Sequence, residues 1–112
     1  MKIVNQNTGA IIAERAIIAD NMFSRMKGLL GRKNMEKGEA IVLKPCNSIH
    51  TFFMAFSIDV IFVDNSNTVV RLFPAIPPWR MTPFIKASYC IEMPSGSANS
   101  LLKQGDLIKI CL

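Results

Sequence analysis

The stretch from Ile49 to Val63 leaves this chain few ways to fold. One alternating face carries Phe52, Met54, Phe56, Ile58, Val60 and Phe62; the other carries Ile49, Phe53, Ala55, Ile61 and Val63. A half-solvated strand alternates apolar with polar, so two apolar faces demand cover on both sides or a fold-back inside the stretch. A break near Ala55 to Ser57 gives two strands, over residues 50–54 and 58–64, with a tight connection. Inside the second sits Asp59. A buried lone carboxylate costs several kcal/mol unless it is paired or hydrogen-bonded. The sequence predicts a structural ion pair of Asp59 with Arg25 or Arg32, and the same carboxylate is a candidate pocket wall.

Around this stretch short apolar runs alternate with turn residues. Residues 2–4 and 10–14 flank Asn5-Gln6-Asn7-Thr8-Gly9, which reads as a hairpin, and residues 16–19 either extend its second strand or lead into a loop. Asp20 is placed to cap a helix, because Met22, Phe23, Met26, Leu29 and Leu30 follow on one face and Gly31 stands at its end. Residues 39–43 read as a strand stopped by Lys44-Pro45. Asn65-Ser66-Asn67 turns the chain into a returning strand over 68–73. Residues 74–83 hold four prolines, which argues against both helix and ladder, and carry the only Trp, Trp79, beside Arg80. Residues 87–93 and 107–112 are further strands, and Ser97 is placed to cap a second short helix over 97–103, ahead of Gly105. The sum is an α+β fold, mostly β: a small antiparallel barrel-like sheet of about seven strands with two short helices packed on it. Residues 1–112 form a single domain on length alone.

Charge and composition remove several classes of function. The net charge is +5, and the densest basic group, Arg25, Lys27, Arg32, Lys33 and Lys37, is diluted by Glu36 and Glu39. Nucleic-acid surfaces concentrate cations in a stripe beside aromatic platforms, so a nucleic-acid partner is disfavoured and a solvated basic face is expected. The longest apolar run, residues 52–63, is interrupted by Ser57 and Asp59 and is too short to span a bilayer. The N-terminal MKIVNQNTGA has no apolar core of a secretory leader. A soluble cytoplasmic protein is the expectation, with no membrane partner. Three cysteines, Cys46, Cys90 and Cys111, without CxxC spacing fit reduced thiols.

The chemistry-bearing residues gather in the central stretch, and none of their motifs names a reaction. Cys46, His50 and Met54 recur at i, i+4 and i+8, all soft or borderline metal ligands. On a strand each step is about 13 Å, too far to converge on one ion. No metal is expected from this stretch alone; Cys90 or Glu92 would have to supply another arm. A Cys46–His50 pair is the catalytic candidate, the thiolate needing a base within hydrogen-bond reach and the chain bending through Asn47-Ser48 to provide it. Trp79 and Arg80 either stack on a ligand or plug the end of the barrel. Two functional readings follow. In the first, a small polar or anionic molecule binds in a pocket walled by His50, Thr51, Met54 and Asp59, with Trp79 and Arg80 at its rim. In the second, a thiol- or metal-dependent enzyme uses Cys46 and His50. A third, weaker option is a protein-interaction domain presenting its apolar loop. No cofactor is specified.

Several of these pieces occur together in one order. They are Arg25-x-x-Gly28-Leu29-Leu30-Gly31-Arg32, Cys46-x-x-Ile49-His50-Thr51-Phe52-Phe53-Met54, Ile58-Asp59-Val60-Ile61-Phe62-Val63-Asp64, Val69-Val70, Ile91-Glu92-Met93-Pro94-x-Gly96 and Gly105-Asp106. With these spacings the chain resembles domain-of-unknown-function family 192, a widespread group of prokaryotic proteins, over roughly Met22 to Leu107. The resemblance implies a compact, β-rich, barrel-like domain and brings no activity with it. Many members carry an N-terminal signal or anchor, and many have Pro where this chain has Ser57.

Overall fold

Eight strands follow one another in the computed structural model, which describes residues 1–21, 29 and 31–112. They are β1 (Lys2–Asn5), β2 (Ile11–Ala13), β3 (Arg15–Ala19), β4 (Glu39–Leu43), β5 (Ile58–Val63), β6 (Val69–Ile76), β7 (Tyr89–Pro94) and β8 (Ile108–Cys111). They form two sheets, a small one ordered β2-β1-β8 and a larger one ordered β3-β4-β7-β5-β6. All pairings are antiparallel except β3 with β4, which run parallel in the register Ala16↔Ala40 to Ala19↔Leu43.

The layering answers the two-faced apolar pattern. Every residue of β5 is buried. On one face Ile61 and Val63 join Ile91 and Met93 in a core closed by Ile3, Ile12, Ala13 and Ile108 of the small sheet. On the other face Ile58, Val60 and Phe62 join Ile41, Leu43 and Cys90 in a second core, covered by Leu29, Met35, Ile49 and Met54. Each fully buried Ile, Leu or Phe contributes about 1.5–3 kcal/mol of transfer free energy, so a strand of this kind is stable only between two layers.

The expected α+β barrel with two short helices is corrected among the described residues. Every described element is a strand, and the large sheet ends at β3 on one side and β6 on the other without closing. The helix expected after Asp20 falls on Met22 to Gly28 and Leu30, outside the described residues. The second helix, over 97–103, stops after one turn, where Leu101 and Leu102 amides donate to the Ala98 carbonyl at 2.9 and 3.1 Å. The groups that would continue it are engaged elsewhere. Asn5 Nδ2 donates to the Leu101 carbonyl at 3.0 Å, and the Lys103 amide donates to Asp106 Oδ2 at 3.0 Å. Residues 16–19 neither extend β2 nor form a loop; they cross to the large sheet, turned by the Glu14 and Arg15 amides, which both donate to the Gly38 carbonyl. Residues 50–54 form no strand. The chain turns at Phe52-Phe53, with the Met54 amide donating to the Thr51 carbonyl at 3.3 Å. The strand expected to stop before Pro74 runs on through it to Ile76. Pro is tolerated there because β6 is an edge strand and its register against β5 shifts between Ile58 and Val60.

The β5–β6 turn illustrates how local chemistry sets register. Asp64 Oδ1 accepts from the Ser66 and Thr68 amides at 2.9 and 3.0 Å, and Asn67 takes the left-handed conformation that Asn tolerates. Asn67 Oδ1 then accepts from the buried Tyr89 hydroxyl at 2.9 Å.

Burial pushes the Tyr89 phenol up to about 12, with the Asp64 carboxylate adding to the shift. A raised pKa means the folded state favours the neutral phenol. Its contribution is complete below the unfolded value of 10.0 and is lost as pH rises toward about 12. Stability of the native chain should therefore fall in that window by up to about 1.4 kcal/mol per pH unit. Urea titrations of Tyr89→Phe should lose this slope.

Candidate functional site

Two threonines lace the proline-rich loop onto the central segment. The Ile49 amide donates to Thr82 Oγ1 at 2.9 Å, and the Thr82 amide returns to the Ile49 carbonyl at 2.8 Å. Thr51 is fully buried and works on both sides of its peptide. Its amide donates to the Arg80 carbonyl at 2.8 Å, its carbonyl accepts from the Trp79 amide at 3.1 Å, and its hydroxyl donates to the Pro77 carbonyl at 2.7 Å while accepting from the Arg80 amide at 2.9 Å. The loop that carries Trp79 is thus fixed against the turn that carries Phe53.

This lacing assembles a cluster of rings. His50 stacks on Phe52 with centroids 4.7 Å apart and planes 21° apart; Phe52 stacks on Trp79 at 6.0 Å and 28°; Phe53 meets the edge of Trp79 at 4.8 Å. Phe53 and Trp79 both have positive φ, +67° and +64°. Bulky residues rarely adopt that region, and each such residue costs of order 1–3 kcal/mol. Neither gains burial in exchange: Phe53 is 63% and Trp79 57% exposed, with Met81 and Phe84 exposed beside them in sequence. The Phe53 turn had no sequence signal, because it lies inside an apolar run that reads as strand.

The other sequence-stretch candidates separate from this cluster. Met54 is buried in the second core with Ile49 and Ile58. The half-buried Cys46 thiol donates to the Ser48 carbonyl at 3.2 Å, and His50 Nδ1 accepts from the Phe52 amide at 3.3 Å. Among the described residues no three His, Cys, Asp or Glu side chains converge as a metal site. Cys90 and Glu92 are fully buried on β7.

Asp59 pairs with Met93 on the face of β5 that meets the small sheet, whereas Ile49 and Met54 cover the other face. Asp59 is fully buried, and three backbone amides meet it: Ala75 and Gly96 donate to Oδ1 at 2.8 and 3.0 Å, and Ala98 donates to Oδ2 at 2.9 Å. The expected ion pair takes another form. Arg32 is forked onto Glu39, with Nη1–Oε2 at 3.1 Å and Nη2–Oε1 at 2.6 Å, and Arg25 lies outside the described residues. A groove that sequence reasoning missed lies beside the Asp59-bonded loop. Its volume is about 660 Å³, and Glu14, Lys37, Met93, Ser95, Ser97 and Ser100 are among its lining residues.

The profile of the DUF192 family, described as Uncharacterized ACR, matches residues 3–110. This chain belongs to the DUF192 family. A UPF0127 protein of Thermococcus kodakarensis is 38% identical over 95% of this DUF192 chain and 71% of its own length. A UPF0127 protein of Pyrococcus horikoshii is 36% identical over 96% of both chains. The crystal structure of a protein of unknown function from Novosphingobium aromaticivorans covers 97% of this chain and 82% of its own, with a TM-score of 0.79 at 20% identity, which establishes a shared fold. Among the described residues of the DUF192 chain no helix is long and apolar enough to cross a membrane.

Two substitutions test these assignments. Asp59→Asn turns an amide donor toward one of three amide donors and should cost about 2–4 kcal/mol in chemical denaturation. The Glu39 carboxyl is held below its ordinary value of 4.5, chiefly by the Arg32 hydrogen bonds. A lowered pKa contributes stability above that value that is lost as pH falls through the folded one. Glu39→Gln should therefore cost no more than about 1 kcal/mol at neutral pH for so exposed a pair, and the gap to the native chain should close on acidification.

Proposed function

We propose that this DUF192 chain is a binding module whose site is the ring cluster of His50, Phe52, Phe53 and Trp79, and that its ligand is a small anion carrying a planar ring. The observation that supports this reading is the pair of exposed aromatics in left-handed backbone. Strain without burial is retained where surroundings over-determine it, and Thr51 and the proline loop supply that constraint here. A rigid ring surface binds a flat partner at low entropic cost. The ligand ring extends the His50–Phe52–Trp79 stack, each added ring worth about 1–3 kcal/mol. Arg80, exposed beside Trp79, offers a forked cation to a phosphate or carboxylate on the same ligand. Met54 and Asp59 take no part in this reading: Met54 is packed in the second core and Asp59 is buried and taken up by three backbone amides.

Trp79 is the only tryptophan, so intrinsic fluorescence reads the site directly. Adenosine monophosphate should quench or shift that emission saturably, with adenosine and inorganic phosphate, which each supply half of the chemistry, at least about tenfold weaker. Arg80→Ala should weaken the nucleotide by about tenfold, and Trp79→Ala, followed by calorimetry, should abolish binding with little change in Tm. Absence of a saturable response across a panel of ring-bearing phosphates and carboxylates, or undiminished binding by Trp79→Ala, would overturn the proposal.

A further inference from the structure

The groove near Asp59 is built from two rims of different chemistry and further apolar residues. The first rim forms where the chain leaves β2. The Glu14 amide donates to the Gly38 carbonyl at 3.0 Å, which brings Glu14 and Lys37 onto neighbouring backbones, both exposed. The second rim is the turn after β7, with Ser95, Ser97 and Ser100. Exposed Ile11, half-buried Leu101 and the buried Ile12 and Met93 complete the apolar part of the lining.

The serine rim is held from behind. Asp59 takes the Gly96 and Ala98 amides, and Ser97 Oγ donates to the Pro94 carbonyl at 2.6 Å. Gly96 has φ +85°, and a Cβ there would meet nothing within 4 Å, so the backbone conformation rather than crowding calls for glycine. The volume of about 660 Å³ is that of a small-molecule site.

The charge pattern selects among small molecules. Glu14 and Lys37 place one anion and one cation on the same rim, three serines line the groove with them, and most of the remaining lining is apolar. We infer that the groove binds a small zwitterion with an aliphatic body, of the class of an apolar α-amino acid. Its ammonium group pairs with Glu14, its carboxylate with Lys37 and the Ser95 and Ser100 hydroxyls, and its side chain covers exposed Ile11 and half-buried Leu101. A carboxylic acid without the amine sets like charge against Glu14, and an amine without the carboxylate sets like charge against Lys37. Both charges are therefore needed, which is specificity by repulsion as well as attraction. This site is separate from the ring cluster and does not rest on the reading given to it.

The test is a titration of the ¹⁵N-labelled full chain with L-leucine, with isovaleric acid and isopentylamine as the two single-charge controls. Leucine should shift the Gly38, Gly96 and Ser97 amide signals saturably, and each control should bind at least about tenfold more weakly. Glu14→Ala and Lys37→Ala are exposed substitutions that leave Tm unchanged, and each should weaken leucine by about tenfold. Trp79 fluorescence should stay constant throughout, which separates this result from any failure at the ring cluster. No saturable shift at those three amides, controls that match leucine, or a Glu14→Ala/Lys37→Ala double variant that binds leucine unchanged would each overturn the inference.

Discussion

One carboxylate ties three separate segments of this fold together. Asp59 stands near the start of β5, inside the large sheet, and collects the amides of Ala75, Gly96 and Ala98. A charge taken out of water needs donors of its own, and charge-assisted bonds to fixed backbone amides supply them without a cation. The end of β6, the turn after β7 and the start of the Ala98–Leu102 turn all take their position from that one side chain. The turn in turn displays the serines of the groove, and the end of β6 leads directly into the loop that carries Trp79.

The second constraint is the cover on both faces of β5. The small sheet is one lid, and its short strands owe their place to Ile3, Ile12 and Ile108 more than to their own ladders. The other lid includes irregular chain, in which Ile49 and Met54 point inward. Irregular chain over a core turns some of its side chains outward, and the rings of Phe53 and Trp79 emerge from that layer. The apolar run thus divides its labour: part of it seals the interior and part of it is left on display.

Much of the strand pattern was legible in the residues. The β1–β2 hairpin, β4, β5, the Asn65-Ser66-Asn67 turn, β7 and β8 were expected close to where they lie, because each couples a β-forming run to a turn residue with its own local chemistry. The family was legible too, from the spacing of Cys46, His50, Asp59 and Gly96. What escaped reading depends on contacts distant in sequence. Residues 97–103 have helical character, yet Asn5, Asp59 and Asp106 claim their backbone groups first. Asp59 looked like half of an ion pair, because nothing in the sequence shows that three amides will converge on it. Arg32 instead finds Glu39, seven residues on at the start of β4. The turn at Phe53 runs against the propensity of its own residues, which is why it reads as strand and why it is informative as a site. Pro74 argued for the end of a strand, and only its position at a sheet border makes it compatible with one.

That border has a bearing on how the molecule coexists with its own copies. Pro74 has no N–H to offer, and the Ala75 N–H is drawn inward to Asp59. Neither of these two positions of β6 therefore has an N–H to offer a neighbour, and Ala75, with φ +50°, bends the backbone away from a regular ladder. A strand from a neighbouring molecule that approached this rim would find no continuous template on which to zip. The same bond that orders the interior thus acts as a safeguard against runaway polymerisation along one margin of the protein.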